Sequence, residues 1–75
     1  MDQNVKLAIE KMLRHNVVRS DAWIARRVKG ASPEMVGGVR HILERRGKLP
    51  HVSHYIDSNG RVWPRDFESI PQPAA

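Results

Sequence analysis

The chain has 75 residues and no cysteine, and 13 basic against 8 acidic residues give it a formal net charge of +5. A chain of this length forms one small domain with a thin core, where an enclosed active-site cavity is hard to build. Disulfides and thiolate metal sites are excluded, and no apolar run approaches the ~20 residues of a membrane span. The excess of basic residues favours an anionic partner, most often nucleic acid, although a surface charge that only maintains solubility explains the excess equally well.

The first predicted element is an amphipathic helix over Asp2–His15. Its apolar residues recur three and four positions apart, as one face of a helix requires; they are Val5, Ala8, Ile9, Met12 and Leu13. The N-terminus carries acids and alternates polar with apolar residues, unlike a secretory signal. We therefore expect a cytoplasmic protein.

A second helix is predicted over Asp21–Lys29, with Ser20 as its N-cap. Ile24, Ala25 and Val28 have the spacing of a core face. Trp23 lies one position off that face. We expect a partly buried Trp23 that closes the seam between elements, while an exposed Trp23 would indicate a contact with a partner protein.

A third helix is predicted to follow the turn at Lys29-Gly30-Ala31. Ser32 is its N-cap, Pro33 suits the first helical position because its missing N–H costs nothing there, and the helix runs to about Arg46 before Gly47 stops it. Val36, Val39 and Leu43 share its core face. Two short helices joined by a tight turn, the second with a basic end, are the parts of a helix-turn-helix.

The C-terminal part changes to a β pattern. Val52–Ile56 and Arg61–Trp63 read as two strands around Asn59-Gly60, a strong hairpin signal, and Pro64 ends the second strand because it cannot donate to a ladder. A hairpin directly after a helix-turn-helix is a wing. The predicted fold is α+β, mostly α: a three-helix winged helix-turn-helix over residues 1–65 with a flexible, Pro-containing tail over residues 66–75.

A family resemblance covers residues 20–64. The resemblance is to the winged helix-turn-helix segment of bacterial and phage proteins, and it rests on the runs SDAWIARRVKGASPEMVGGVRHILERRGKLPHV and DSNGRVWP. This segment occurs in many plasmid replication and partition proteins, and in others it follows a ParB-like nuclease domain. The resemblance implies double-stranded DNA binding by a small bacterial or phage-encoded regulator or replication or partition factor. It implies no catalysis, because no nuclease domain is present. The chain departs from the family pattern in two places. Its turn at Lys29-Gly30 is one residue longer than the shortest form, and Gly37-Gly38 stands where the family usually has polar or basic residues.

The predicted DNA contacts lie on three segments. The third helix is expected in the major groove and the hairpin on the backbone or in the minor groove. Arg40 and His41 are expected nearest the groove floor, where an arginine can bridge guanine O6 and N7. One basic cluster, Arg45, Arg46 and Lys48, lies at the end of the third helix, and a second, Arg26, Arg27 and Lys29, lies near the turn; phosphates that such cations contact add affinity without sequence information. The predicted contact residues are Ser32, Pro33, Glu34, Gly37, Gly38, Arg40, His41, Arg45, Arg46, Lys48, Arg26, Arg27, Lys29, Asn59 and Arg61.

Other functions stay open. The alternative to DNA binding is a protein-interaction module, such as a phage inhibitor of a host factor, that uses Trp23 and Gly37-Gly38; RNA binding is weaker because no stacking-aromatic motif is present. The four histidines do not have the spacing of a known metal-ligand set, and no motif forms a catalytic triad. We therefore expect no metal, no cofactor, no membrane association and no enzymatic activity, with the oligomeric state undetermined. The histidines are His15, His41, His51 and His54.

Overall fold

The computed structural model describes residues 2–57 and 59–65. Their order is helix α1 (Gln3–His15), helix α2 (Asp21–Ala25), helix α3 (Pro33–Arg45), strand β1 (His54–Ile56) and strand β2 (Val62–Pro64). The protein is thus α+β and mostly helical, with one antiparallel two-stranded sheet in this part of the chain. The predicted tail, including Phe67 and Ile70, lies outside the described residues.

Polar caps begin all three of these helices. Asp2 accepts a hydrogen bond from the Asn4 N–H at 2.7 Å, and Ser20 and Ser32 accept from the third residue along at 3.1 and 3.2 Å. Each cap satisfies a backbone donor that has no partner inside the helix. The predicted caps Ser20 and Ser32, and Pro33 at the start of α3, are confirmed.

The end of α3 is a Schellman motif. Gly47 has a φ of +71°, a conformation that costs glycine little. The Gly47 N–H donates to the Glu44 carbonyl at 3.0 Å, and the Lys48 N–H donates to the Leu43 carbonyl at 2.8 Å. These two bonds satisfy carbonyls that the helix leaves unpaired, so α3 stops where its glycine predicts.

Helix α2 is shorter than predicted. The expected span to Lys29 is wrong, because regular helix ends at Ala25 and the chain continues through turns to Gly30. Val28 is nevertheless buried, so the turns keep the core spacing that suggested a longer helix.

The core lies between the three helices. Its fully buried side chains come from every helix, since Ile9, Leu13, Ile24 and Val36 are all 0% exposed. The predicted core face of α3, with Val36, Val39 and Leu43, is confirmed. No described helix has both the length and the apolarity to cross a bilayer.

The hairpin is closed by one carboxylate. Asp57 accepts from the Asn59 and Arg61 N–H groups, both at 2.9 Å, and from Trp63 Nε1 at 3.0 Å. Gly60 has a φ of +81°, and Tyr55 pairs with Trp63 across the strands. The strands begin later than predicted, and β2 includes Pro64, one residue beyond the predicted end at Trp63, but the hairpin and its turn are confirmed.

Two contacts attach the hairpin to the connector between α1 and α2. The Ile56 N–H donates to the Val18 carbonyl at 2.8 Å. The Arg19 guanidinium donates to the Ile56 and Asp57 carbonyls at 3.0 and 2.7 Å. The sheet edge is therefore fixed to the helices and not left as a projecting arm.

Candidate nucleic-acid interface

Helix α3 has one buried and one exposed face. An α-helix turns 100° per residue, so positions 34, 38, 41, 42 and 45 form a stripe opposite the core. The described chain leaves this stripe uncovered and places most of the predicted α3 contacts on or beside it. The exposed residues are Pro33, Glu34, Gly38, His41, Ile42, Arg45 and Arg46.

Arg40 does not belong to this exposed face. Its side chain is 1% exposed. Nε donates to Asp21 Oδ1 at 2.9 Å, Nη1 to the Val17 carbonyl at 2.7 Å and Nη2 to the Arg19 carbonyl at 2.6 Å. The predicted contact of Arg40 with bases is wrong, because a guanidinium enclosed and bonded on all three nitrogens cannot also reach a groove floor.

The role of Arg40 is to join four parts of the fold. It connects α3 to α2 through Asp21 and to the connector through two carbonyls, and its guanidinium carbon lies 4.9 Å from the Tyr55 ring centroid. Burial raises the pKa of the Tyr55 hydroxyl. The sequence contains an indication of this role, because Arg40 lies four residues after Val36 and three before Leu43 and therefore at the edge of the core face of the helix.

Gly37 and Gly38 have different surroundings. A Cβ at Gly37 would lie 3.0 Å from Asp21 Oδ2, so a side chain there would press on the carboxylate that holds Arg40. A Cβ at Gly38 would have nothing within 4 Å. Packing inside the fold therefore explains Gly37 and leaves Gly38 as a bare position on the exposed stripe.

The cationic end of α3 is open to solvent. Arg45, Arg46 and Lys48 are exposed, as the sequence predicts for phosphate contacts. Arg45 and Arg46 line a surface depression of about 330 Å³ together with Ile42, which is 43% exposed. Two guanidiniums beside an open depression can bind an anion such as a phosphodiester.

The second predicted basic cluster lies elsewhere. Arg27 stacks on Trp23, with its guanidinium carbon 3.5 Å from the ring centroid, and Arg19 lies over the same ring at 4.9 Å. Trp23 is partly buried and packs on the core, as expected for a residue that closes a seam. Arg27 and Lys29 line a groove against α1, which shares no residue with the depression beside Arg45, and Arg26 is exposed.

The hairpin presents the remaining predicted contacts. Asn59 and Arg61 are exposed, and the Arg61 guanidinium carbon lies 5.7 Å from the Trp63 ring centroid. The Trp63 hydrogen bond and the backbone N–H donors hold the pKa of Asp57 below its ordinary value. The turn carboxylate therefore stays ionised, and the turn keeps its shape, to lower pH than an isolated aspartate would allow.

A further ion pair, which no local sequence pattern indicates, fixes the outer end of the hairpin to α3. The Arg65 guanidinium binds Glu44 in a bidentate pair, with Nη1 2.6 Å from Oε2, and His51 Nδ1 lies 3.6 Å from the same oxygen. Burial favours a raised pKa for Glu44, but the Arg65 hydrogen bonds and the nearby positive charges outweigh it and lower that pKa. Glu44 also raises the pKa of Arg65 by accepting its hydrogen bonds.

Within the described residues, no group of three or more His, Asp or Glu side chains is arranged to hold a metal ion. No protein-family model matches the chain, and neither a curated protein nor a solved structure shows significant similarity to it.

Proposed function

We propose that the chain is a DNA-binding protein of the winged helix-turn-helix type, with α2 and α3 as the helix-turn-helix and the β1–β2 hairpin as the wing. Three features support this assignment: the order of the elements, the attachment of β1 to the connector at Val18, and the pairing of Arg65 with Glu44. Together they hold the hairpin beside α3, as the wing is held beside the recognition helix in a winged helix-turn-helix.

The uncovered stripe of α3 is the single observation that carries the proposal. A recognition helix inserts an exposed face into the major groove, which is about 12 Å wide and admits one helix. On the stripe, Glu34 in the first turn of α3 and His41 beyond its middle are the polar side chains that reach base edges. At its end, Arg45 and Arg46 contact phosphates, which adds affinity without adding sequence preference.

Arg40 supports this function indirectly. It ties α3 to α2, to the connector and, through Tyr55, to the hairpin, so it sets the position of the exposed stripe relative to the wing. Binding to a rigid duplex gains affinity when the contacting surface is already ordered, because less conformational entropy is lost.

A selection of bound duplexes from a random-sequence pool tests the proposal. We expect an enriched sequence for the wild type and a changed or relaxed preference for Glu34→Ala and His41→Ala. Arg46→Ala is the matched control, because loss of a phosphate contact weakens binding evenly across sequences. Failure of the wild type to retain any duplex at low salt would contradict DNA binding.

A second candidate function, a protein-interaction surface on the same stripe, is favoured by Ile42. This isoleucine is 43% exposed and adjoins the bare position Gly38, an arrangement that suits an apolar partner. An Ile42→Asn variant distinguishes the two, since it should abolish stoichiometric binding of a protein partner and keep phosphate-driven DNA binding. Loss of salt-dependent DNA binding in this variant, with folding intact, would contradict that assignment.

A further inference from the structure

A groove on the side of α1 has an apolar floor. It has a volume of about 540 Å³ and lies between α1 and the turns that follow α2. On α1, Ile9 and Leu13 are fully buried, whereas the floor residues Val5, Ala8 and Met12 are only partly covered. Because α2 ends at Ala25, the following turns cover this second apolar strip of α1 incompletely.

The rim of the groove is cationic. Lys11 borders it from α1, and Arg27 and Lys29 border it from the opposite side. Among the described residues that line the groove, none is acidic. Arg27 is held in place, because it stacks on Trp23 and donates to the Trp23 carbonyl at 3.1 Å.

An exposed leucine lies on α1 beyond the cationic rim of the groove. Leu7 is 52% exposed and lies one helical turn before Lys11 on the same side of the helix. The groove itself carries the argument, because an apolar floor inside a polar rim is typical of a surface that a partner covers.

We propose that this groove binds an acidic amphipathic helix of a partner protein. Apolar residues at i, i+3, i+4 and i+7 of such a helix would cover the floor, as in other helix-in-groove complexes. Flanking carboxylates would lie against Lys11, Arg27 and Lys29. A second copy of the chain fits poorly, because a symmetric pair would bring two cationic rims together. Duplex DNA has the charge that the rim would attract, but its phosphates make no favourable contact with an apolar floor. This assignment is independent of the DNA-binding proposal.

A designed peptide is the probe. We would use a helix of about 15 residues with leucines on one face and glutamates beside them, and a matched peptide with lysines in place of the glutamates. Binding to the full chain is followed by ¹H–¹⁵N correlation spectra. We expect the acidic peptide to shift the amide signals of Val5, Ala8, Met12 and Val28 and the basic peptide to leave them unchanged.

Charge reversal sharpens the test. Lys11→Glu together with Lys29→Glu should weaken binding of the acidic peptide about tenfold, because two favourable rim pairs become repulsive. Lys48→Glu reverses a single charge outside the groove and should alter the affinity less than twofold. Equal weakening by Lys48→Glu, peptide-induced shifts on α3, or shifts of the groove amides by duplex DNA in place of the acidic peptide would each overturn the proposal.

Discussion

Replacement of Arg40 by methionine should destabilise the fold severely. The variant keeps much of the side-chain volume but leaves the Asp21 carboxylate and the Val17 and Arg19 carbonyls without their donors. Removing one member of a buried ion pair costs about 3–5 kcal/mol. We expect about 3–4 kcal/mol, because the Asp21 side chain remains 20% exposed and water can partly compensate.

That loss is large for a chain of 75 residues. At roughly 0.05–0.15 kcal/mol per residue, its total unfolding free energy is about 4–11 kcal/mol. With a urea m-value near 1 kcal/mol/M, the unfolding midpoint should fall by about 3 M, or the variant should be largely unfolded in buffer. Urea titration followed by far-ultraviolet circular dichroism measures this directly.

Arg45→Met is the matched control, because it removes an exposed guanidinium from the same helix. Its unfolding free energy should change by less than about 1 kcal/mol, while its affinity for duplex DNA should fall. An Arg40→Met variant that unfolds at the wild-type midpoint but has lost DNA binding would refute the structural assignment and restore Arg40 as a base-reading residue.

Three further predictions concern backbone and pH. Gly38→Ala should raise the unfolding free energy by about 0.8 kcal/mol in the same urea titration, because alanine favours helix and its Cβ meets nothing there. Gly37→Ala should gain much less, because its Cβ would lie 3.0 Å from Asp21 Oδ2; a gain equal to that at Gly38 would contradict this. Since the folded pKa of Glu44 is depressed, its stabilising contribution is present above its ordinary pKa near 4.5 and is lost as the pH falls through the lower folded value. Glu44→Gln or Arg65→Met should therefore reduce the acid sensitivity of thermal unfolding, and an unchanged pH profile would show that the pair does not contribute.

Local signals predict most of the helix boundaries. Ser20, Ser32 and Gly47 act through neighbouring backbone groups, so their caps are readable from the chain alone. The Asn59-Gly60 turn is readable for the same reason. The end of α2 was misplaced because Val28 stays in the core after regular helix has ended, and burial periodicity does not distinguish turns from helix there.

Contacts between distant residues were not predictable. The partners of Arg19 and Arg40, and the Glu44 partner of Arg65, lie 19 to 38 residues away along the chain. A sequence shows only that these residues are cationic, and cations are usually solvated, so the sequence pattern places Arg40 on the wrong face of α3. For the same reason, the sequence assigns the second basic cluster to the same DNA interface as the cations of α3, although Arg27 and Lys29 line a different groove.

The salt dependence of DNA binding tests the central claim most directly. Fluorescence anisotropy of a labelled duplex, titrated between about 50 and 200 mM salt, gives the slope of log K against log salt, which is about −0.9 per phosphate contact. We expect a steep slope for the wild type and a slope about 1.8 shallower for the Arg45→Met/Arg46→Met double variant, which lacks two phosphate contacts. A wild-type slope near zero, or equal slopes for the two proteins, would contradict DNA binding through the exposed stripe of α3.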